Sequence, residues 1–337
     1  MSAPTVDLPR TGRRAPTAVL ALVAVTAIWG STFSLSKDLL TRVPVTDYLA
    51  LRFLVAAAVI GLVRPGTLRR VDGRVLLVGA GLGLCYAAGQ ALQFFGLPHT
   101  AATVSAFVVS MYVVVTPLLA AVLLRARPSG PTLVATVLAS AGVATMSLRG
   151  WTLGFGEALT LGAAALYALH ILGLSRWSTG RTAYPLTFVQ LLTMGLCFLA
   201  WAAHDGVEGP GREDLAGFLY LSVVAGAGAM LVQTWAQSHV APAPAAVVMV
   251  LEPVWAAFFG LVVWQQALDV RTVVGGTLVM SATLLVVVVS RRAEVAASGV
   301  ADAAGVGAVP PPSDPDWTRS REESGPGGAN RRTPRAG

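Results

Sequence analysis

Charge is scarce in this sequence. Only 12% of the 337 residues are Asp, Glu, Lys or Arg, whereas a soluble domain carries about 25%. Lysine occurs once, as Lys37, and hydrophobic residues make up 55% of the chain. A soluble protein of this length needs a polar surface that these residues cannot supply. The composition therefore excludes an ordinary soluble domain and predicts a protein embedded in the lipid bilayer.

The residues that catalysis and metal binding require are also few. Cys85 and Cys197, the two cysteines, lie in apolar runs, which predicts small buried residues rather than a disulfide or a metal pair. The four histidines are scattered, and neither a His-Glu-x-x-His zinc motif nor an ATP-binding phosphate loop occurs. The net charge of +7 does not form a basic face interleaved with aromatic residues. The sequence therefore predicts no enzyme activity, no cofactor, no metal site and no nucleic-acid partner.

The chain does contain a series of apolar runs, each about 20 residues long and thus able to cross a bilayer as a helix. They do not alternate polar and apolar residues, as the strands of a membrane β-barrel do. We predict an all-α polytopic membrane protein with ten transmembrane helices. The predicted spans are 17–36, 45–63, 74–95, 101–124, 131–148, 154–174, 184–203, 214–236, 243–265 and 271–290.

Basic residues are unevenly divided between the two sides of the predicted bundle. With the N-terminal segment 1–16 inside, the inner connections hold thirteen arginines and lysines and the outer ones five. The positive-inside rule then places both termini in the cytoplasm. Segment 1–16 and the run after it resemble a signal peptide, but the run continues to Leu35, so we predict an uncleaved first span. The composition, rich in Ala, Gly, Val and Arg, suggests GC-rich coding and a bacterial plasma membrane.

The last part of the chain differs in character from the rest. Residues 291–337 are rich in proline and glycine and carry charges of both signs. Such a segment cannot bury enough apolar surface to fold. We predict that it is a disordered cytoplasmic tail.

The two halves of the membrane region are weakly similar to each other. A shift of 140 residues aligns Gln93 with Gln233 and Tyr112 with Glu252. Because each repeat has five spans, an odd number, the second repeat enters the membrane from the opposite face. Inverted repeats are typical of secondary transporters, whose substrate site lies between the halves near the midplane. The predicted repeats are 17–148 and 154–290.

Three stretches resemble the motifs of one family. They are "AIWGSTFSLSK" (27–37), "TAATVSAFVVSMYVVVTPLLAAVLLRARPS" (100–129) and "VAPAPAAVVMVLEPVWAAFFGLVVWQQALD" (240–269). They are similar to the first-, fourth- and ninth-helix motifs of EamA-type carriers of the drug/metabolite transporter superfamily. The resemblance implies ten helices in an inverted repeat, a central cavity, and export or exchange of small metabolites or drugs. Ala126 and Gln266 stand where the family usually has an acidic residue, so those loop carboxylates cannot act in this chain.

One acidic residue lies well inside an apolar run. Glu252, followed by Pro253, occurs in "VVMVLEPVWAAFFGLVVW". An ionised carboxylate at the bilayer centre costs about 2.5–3.5 kcal/mol on insertion scales, so it normally faces the protein interior or a wet cavity. Glu252, Ala256 and Gly260 share one helix face, whose small residues let another helix approach closely, and Pro253 frees a backbone carbonyl one turn earlier. We expect both residues to line a cavity or the seam between the halves. A structural role for Glu252 and a role in substrate or proton handling both remain open.

Other polar and aromatic residues of the spans are candidates for the same cavity. We expect the Trp29–Ser31 segment to bend the first helix. Lys37 is expected to reach the headgroups or to form an ion pair with Asp38 or Asp47. We expect His170 to have a structural role, the alternative being an imidazole that titrates near neutral pH. Each polar residue alone is more often a link between helices. The candidate site residues are Glu252, Trp29, Ser31, Arg52, Gln93, Tyr112, His170, Gln190, Gln233 and Trp255, with Gly30 and Pro253 at helix bends.

Together these features predict a secondary transporter that exports small metabolites, amino-acid-like or otherwise polar or amphipathic, by alternating access. Its expected partners are the lipid bilayer and a small-molecule substrate. Proton coupling through Glu252 or His170 is a further hypothesis. The alternatives are a multidrug carrier of cationic compounds and, in another class, a membrane scaffold or sensor that transports nothing. The sequence leaves the substrate, the direction, the coupling ion and the oligomeric state open.

Overall fold

The computed structural model describes residues 15–123, 130–149, 152–178, 182–204, 206–237, 248–249 and 251–303. The chain divides into two compact units, Met1–Arg291 and Arg292–Gly337. The predicted N-terminal segment up to residue 14 and the predicted tail from residue 304 lie outside the described residues.

The first half of the chain is helical. Its α-helices are α1 (Ala15–Leu39), α2 (Val45–Val63), α3 (Gly73–Gly96), α4 (Ala102–Val109), α5 (Tyr112–Leu123) and α6 (Gly130–Ser147). Short 3-10 helices, Pro65–Arg70 and Leu97–His99, flank α3. Two strands of two residues each, β1 (Leu148–Arg149) and β2 (Thr152–Leu153), pair antiparallel where the halves meet.

The second half is helical as well. Its elements are α7 (Phe155–Trp177), α8 (Ala183–Ala202), α9 (Leu215–Leu219), the π-helix Tyr220–Gly228, α10 (Ala229–Gln237), α11 (Leu251–Val262) and α12 (Val270–Ala303).

Eight helical segments of the described chain are long and apolar enough to cross a membrane. They are Thr17–Leu39, Val45–Val63, Gly73–His99, Ala102–Leu123, Phe155–Leu174, Ala183–Ala202, Leu215–Ala236 and Val270–Val289. Two shorter apolar helices, Gly130–Met146 and Leu251–Val262, lie in the predicted fifth and ninth spans. Residues 243–247 and Val250 of the ninth span lie outside the described residues. The prediction of an all-α polytopic membrane protein is confirmed.

Local sequence explains where several helices begin and break. Asp72 caps α3, because its carboxylate accepts a hydrogen bond of 2.7 Å from the Val75 amide. The fourth span is divided between α4 and α5 at Ser110, whose hydroxyl bonds the Phe107 carbonyl. Pro117 adds to this irregularity, since it has no amide hydrogen for the carbonyl one turn earlier.

The last helix extends beyond the predicted boundary of the tail. α12 continues from Val270 to Ala303, so the segment predicted to be disordered from residue 291 begins with helix. Residues 291–298, "RRAEVAAS", are mostly Ala, Arg and Glu, which favour helix. The proline and glycine that led to the prediction lie further along the chain.

Helices of the first half pack mainly on helices of the second half. α2 packs along α8, α3 packs along α7 and α8, and α1 packs along α10 and α11. A continuous hydrophobic core connects these pairs. Buried polar residues of α2, α3, α7 and α8 therefore lie at the seam between the two halves, as the sequence predicts for a transporter built from two repeats.

Ion pairs join the end of α1 to the start of α9. Arg42 Nη2 lies 2.7 Å from Asp214 Oδ1 and 2.6 Å from Asp38 Oδ2. The Asp214 side chain is only 8% exposed. Hydrogen bonds from Arg42 lower the pKa of the Asp214 carboxyl below its ordinary value of 3.8. The hydrogen bonds with Asp214 raise the pKa of the guanidinium in turn.

We expect Asp214→Asn to lower the Tm of the purified protein at neutral pH, because it removes the charged acceptor of Arg42. A carboxyl whose pKa is lowered by folding stabilises the fold above its unfolded pKa, and this contribution is lost as the pH falls through the folded pKa. The Tm difference should therefore persist at neutral pH and shrink below about pH 4. Thermal unfolding in detergent across this range measures it. Glu213→Gln is the control, because Glu213 forms no ion pair within the described residues. A Tm difference between Asp214→Asn and the native protein that does not change with pH would contradict a stabilising ion pair between Asp214 and Arg42.

Candidate functional site

α1 and α11 cross with almost no space between their backbones. A Cβ atom at Gly30 would lie 2.5 Å from the Trp255 Cβ atom, 2.8 Å from the Ala256 nitrogen and 2.9 Å from the Glu252 carbonyl oxygen. Gly30 therefore permits this close crossing. α1 runs through it without a break, so no helix end marks the predicted bend at this residue. The crossing brings the Trp29–Ser31 segment beside the part of α11 that carries Glu252.

Glu252 and Pro253 lie in the first turn of α11. Pro253 is buried, whereas Glu252 is half-buried. Within the part of the chain that the structure describes, the Glu252 carboxylate has neither a hydrogen bond nor an ion pair.

Side chains of α1 bond to the π-helix of the second half. The Trp29 indole nitrogen donates to the Ala225 carbonyl at 3.0 Å. The Ser31 hydroxyl lies 2.8 Å from the Tyr220 hydroxyl. Both predicted site residues therefore lie at the seam, where they bind the neighbouring half. π-helical turns are often found at functional sites.

Arg52 of α2 is a buried cation surrounded by neutral groups. It is 6% exposed. Its Nε atom donates to the Leu221 carbonyl of the π-helix at 3.2 Å, and its Nη1 atom donates to the Tyr48 hydroxyl at 3.1 Å. The Cζ atom lies 5.5–5.7 Å from the ring centres of Tyr48, Phe53 and Phe94. Among the described residues, no carboxylate lies within ion-pair distance of this guanidinium.

Tyr86 of α3 packs against two side chains of α7. Its ring centre lies 4.9 Å from that of Tyr167 and 4.7 Å from that of His170. Tyr86 is half-buried, and its hydroxyl has no hydrogen-bond partner in the described chain.

A hydrogen-bonded group links α3 to α7. The Gln90 amide nitrogen donates to the Tyr167 hydroxyl at 2.5 Å, and that hydroxyl donates to Gln93 Oε1 at 2.5 Å. All three side chains are buried. The Tyr167 ring packs 4.9 Å from the Tyr86 ring. The predicted site residue Gln93 thus holds the Tyr167 side chain in position.

His170 and Gln190 form a second polar link, between α7 and α8. The His170 Nε2 atom lies 2.6 Å from Gln190 Oε1, and the Gln190 amide donates to the Leu186 carbonyl. The imidazole packs 4.7 Å from the Tyr86 ring. Both side chains are buried. His170 is therefore a buried side chain with a hydrogen-bond partner, which is the structural role that the sequence favours for it.

The remaining candidates lie in different surroundings. Gln233 is half-buried in α10 and has no hydrogen bond within the described residues. Trp255 packs on Phe258 and Phe259, and its buried indole nitrogen has no acceptor in the part of the chain that is described.

The contacts of Lys37 differ from those that the sequence predicts. It donates to the Thr100 carbonyl near Glu157, whose carboxylate accepts from the Thr100 hydroxyl at 2.8 Å. It forms no ion pair with Asp38 or Asp47 in the described structure. Asp38 pairs with Arg42 instead, which lies four residues further along the chain, in the turn that follows α1.

Three residues of this region were not among the predicted site residues: Tyr48, Tyr86 and Tyr167. Aromatic residues are common in apolar helices, so their types carry no signal. The spacing of Tyr86, Gln90 and Gln93 places them on one face of α3 and could have identified that face. Nothing local connects Tyr48 to Arg52 beyond the i, i+4 spacing on α2.

The arrangement suits reversible binding of a polar solute. It offers one permanent cation, one carboxylate, and several neutral donors and acceptors on aromatic walls. The described residues contain no group of three or more His, Cys, Asp or Glu side chains that could hold a metal ion.

Comparisons with known proteins place this site in context. The model of the EamA-like transporter family matches residues 16–148 and 154–288. An uncharacterized transporter of Archaeoglobus fulgidus is 26% identical over 270 residues, which cover 79% of this chain and 84% of that protein. A crystal structure of another protein superposes with a TM-score of 0.61 at 17% identity and covers 83% of this chain and 99% of that one. The last similarity concerns the fold alone.

Proposed function

The chain belongs to the EamA-like transporter family, and from this premise we propose that it is a secondary carrier that exports a small polar or amphipathic metabolite by alternating access. Amino-acid-like compounds fall within the proposed range. We place the protein in a bacterial plasma membrane with both termini in the cytoplasm, because basic residues are concentrated on that side of the sequence.

The observation that carries this proposal is the pair of charges at the seam. Arg52 comes from the first half and donates to the Leu221 carbonyl of the second half. Glu252 comes from the second half and lies where α11 crosses Gly30 of α1. Ionisable side chains inside a membrane are costly and normally mark the path of a substrate or an ion. In carriers built from two repeats, that path crosses the interface between the repeats. Rocking of the halves would expose this region to each side in turn.

The first test compares culture media of cells that overproduce the native protein or Glu252→Ala at equal membrane levels. We expect a metabolite to accumulate in the medium only with the native protein, because the variant lacks the carboxylate at the seam. Mass spectrometry of the medium measures it. Glu213→Gln, which changes a carboxylate outside the spans, is the matched control and should export normally. No accumulation with the native protein would refute export, whereas equal accumulation with Glu252→Ala would make Glu252 a structural residue.

Proton coupling is the second part of the proposal. The Glu252 carboxylate has no partner within the described residues, and such a carboxylate can take up a proton when the substrate leaves and release it when the substrate binds. Transport into proteoliposomes should then depend on a pH gradient, and Glu252→Gln, which mimics the protonated acid, should lose that dependence. A transport rate that stays the same after an ionophore collapses the gradient would refute proton coupling.

Efflux of cationic drugs is a second candidate function. The Glu252 carboxylate, which has no partner among the described residues, favours it, because this side chain could pair with a cation that enters the seam. A resistance panel of cationic compounds, with native and Glu252→Gln proteins compared, tests this candidate.

A further inference from the structure

We propose that Arg52 binds the carboxylate of the transported compound, so that the substrate is an organic acid in its anionic form with an aromatic or apolar body. This inference rests on the proposed carrier function and names the substrate class of the same site. It also selects between the two charges at the seam, which by themselves suit substrates of opposite sign.

The first argument is that the two charges differ in how they can be neutralised. A glutamate in a membrane can take up a proton and become neutral. An arginine cannot lose its proton under any physiological condition. A buried cation without a counter-charge is unfavourable. Arg52 therefore needs an anion, whereas Glu252 needs none.

The second argument is that the described part of the chain does not supply this anion. Arg52 is 6% exposed, and its two hydrogen bonds go to neutral oxygens, the Leu221 carbonyl and the Tyr48 hydroxyl. The Nη2 atom has no acceptor within the described residues. The bonds through Nε and Nη1 fix the plane of the guanidinium. They leave an edge that matches a carboxylate, which accepts the hydrogen bonds of a guanidinium in pairs.

The third argument is that other cations near the seam are differently paired. Arg42 bonds the carboxylates of Asp38 and Asp214. Lys37 bonds the Thr100 carbonyl close to Glu157. Each of these cations has an acidic group of the protein nearby. Arg52 lies instead among the rings of its surroundings, and no carboxylate of the described residues lies at hydrogen-bond distance from it. We expect the ligand to supply that carboxylate.

The walls near Arg52 indicate the rest of the substrate. The rings of Tyr48, Phe53 and Phe94 lie 5.5–5.7 Å from its Cζ atom and are buried, so the guanidinium has aromatic surroundings. Aromatic rings bind flat apolar bodies well and pair with other rings at centroid distances of about 4.5–7 Å. The expected ligand is therefore an aryl or similarly apolar monocarboxylate.

The test measures binding to the purified full chain in detergent. The probes are phenylacetate, 3-phenylpropionate and indole-3-acetate, each with its neutral amide, together with phenethylammonium and the inorganic anions chloride and sulfate. Binding is measured as the rise in Tm and by calorimetry. We expect at least one carboxylate to bind about tenfold or more tightly than its amide, because a charge-assisted bond to Arg52 is lost in the amide. We expect Arg52→Gln to remove this preference and Arg52→Lys to retain part of it.

Several results would overturn the inference. One is equal binding of acid and amide throughout the panel, and another is an undiminished preference for the acid in Arg52→Gln. Tightest binding of phenethylammonium, or a Tm shift from chloride or sulfate as large as that from the carboxylates, would overturn it as well. The comparison of acids with amides uses the native protein alone, so it stands even if Arg52→Gln does not fold. The export experiment separates the two proposals. A neutral or cationic metabolite exported by the native protein would keep the carrier and refute the carboxylate site.

Discussion

Replacing Gly30 with alanine will destabilise this protein, whereas the same change at Gly81 will stabilise it. Both glycines lie inside long helices, α1 and α3, where alanine is favoured over glycine by about 1 kcal/mol. At Gly81 a Cβ atom would meet nothing within 4 Å, so this gain is realised. At Gly30 it would meet the backbone of α11, including the Ala256 nitrogen at 2.8 Å. Overpacking of this kind costs about 1–3 kcal/mol or more, and backbone atoms cannot turn away.

The measurement is the Tm of the two variants in the same detergent, together with the fraction that elutes as a single species in size-exclusion chromatography. Gly30→Ala should lower both values and Gly81→Ala should raise the Tm slightly. Each variant is the control for the other, because both replace glycine with alanine inside a helix and only the position differs. We expect their Tm shifts to have opposite signs. Shifts of the same sign and size would mean that α1 and α11 do not cross at Gly30.

Tyr167→Phe is expected to destabilise the fold through two glutamines rather than through lost packing. The hydroxyl accepts from Gln90 and donates to Gln93, both at 2.5 Å. Its removal leaves two buried amide groups without their partner. A buried polar group left in this way costs about 1–3 kcal/mol. The ring itself stays, so contacts with Tyr86 are retained.

Tyr86→Phe is the matched control for this change. The Tyr86 hydroxyl has no partner within the described residues, so its removal should leave the Tm unchanged. Adding Gln90→Leu and Gln93→Leu to Tyr167→Phe should recover part of the lost stability, because no polar group then remains unsatisfied. Equal Tm values for Tyr167→Phe and Tyr86→Phe would show that the hydrogen-bonded group contributes nothing. An altered substrate affinity in Tyr86→Phe alone would place its hydroxyl at the substrate.

The membrane spans could be predicted because their signal is local and one-dimensional. The predicted second span, 45–63, coincides with α2, Val45–Val63. A bilayer requires a minimum length of apolar helix, so run lengths suffice. The division of the fourth span at Ser110 depends on local hydrogen bonds and packing. Apolar run length contains no information on this division.

The sequence predicted which types of residue form the candidate site, but not which of them contact one another. Embedded polar residues are expensive in a bilayer, and this rule alone singled out Arg52, Gln93 and Glu252 from the sequence. It could not find Tyr86 or Tyr167, because tyrosine is ordinary in an apolar helix.

The sequence by itself determined that this chain spans a membrane as two similar sets of helices, and its motifs matched the family to which it belongs. These properties follow from apolar run length and from residues close together in the chain. The tertiary structure decided which charges have partners. It pairs Lys37 with Thr100 and Arg42 with Asp214, and it leaves Arg52 among neutral oxygens and rings. The physical reason is that the energy of a buried charge depends on groups within a few ångströms, and those groups come from helices that are distant in the chain.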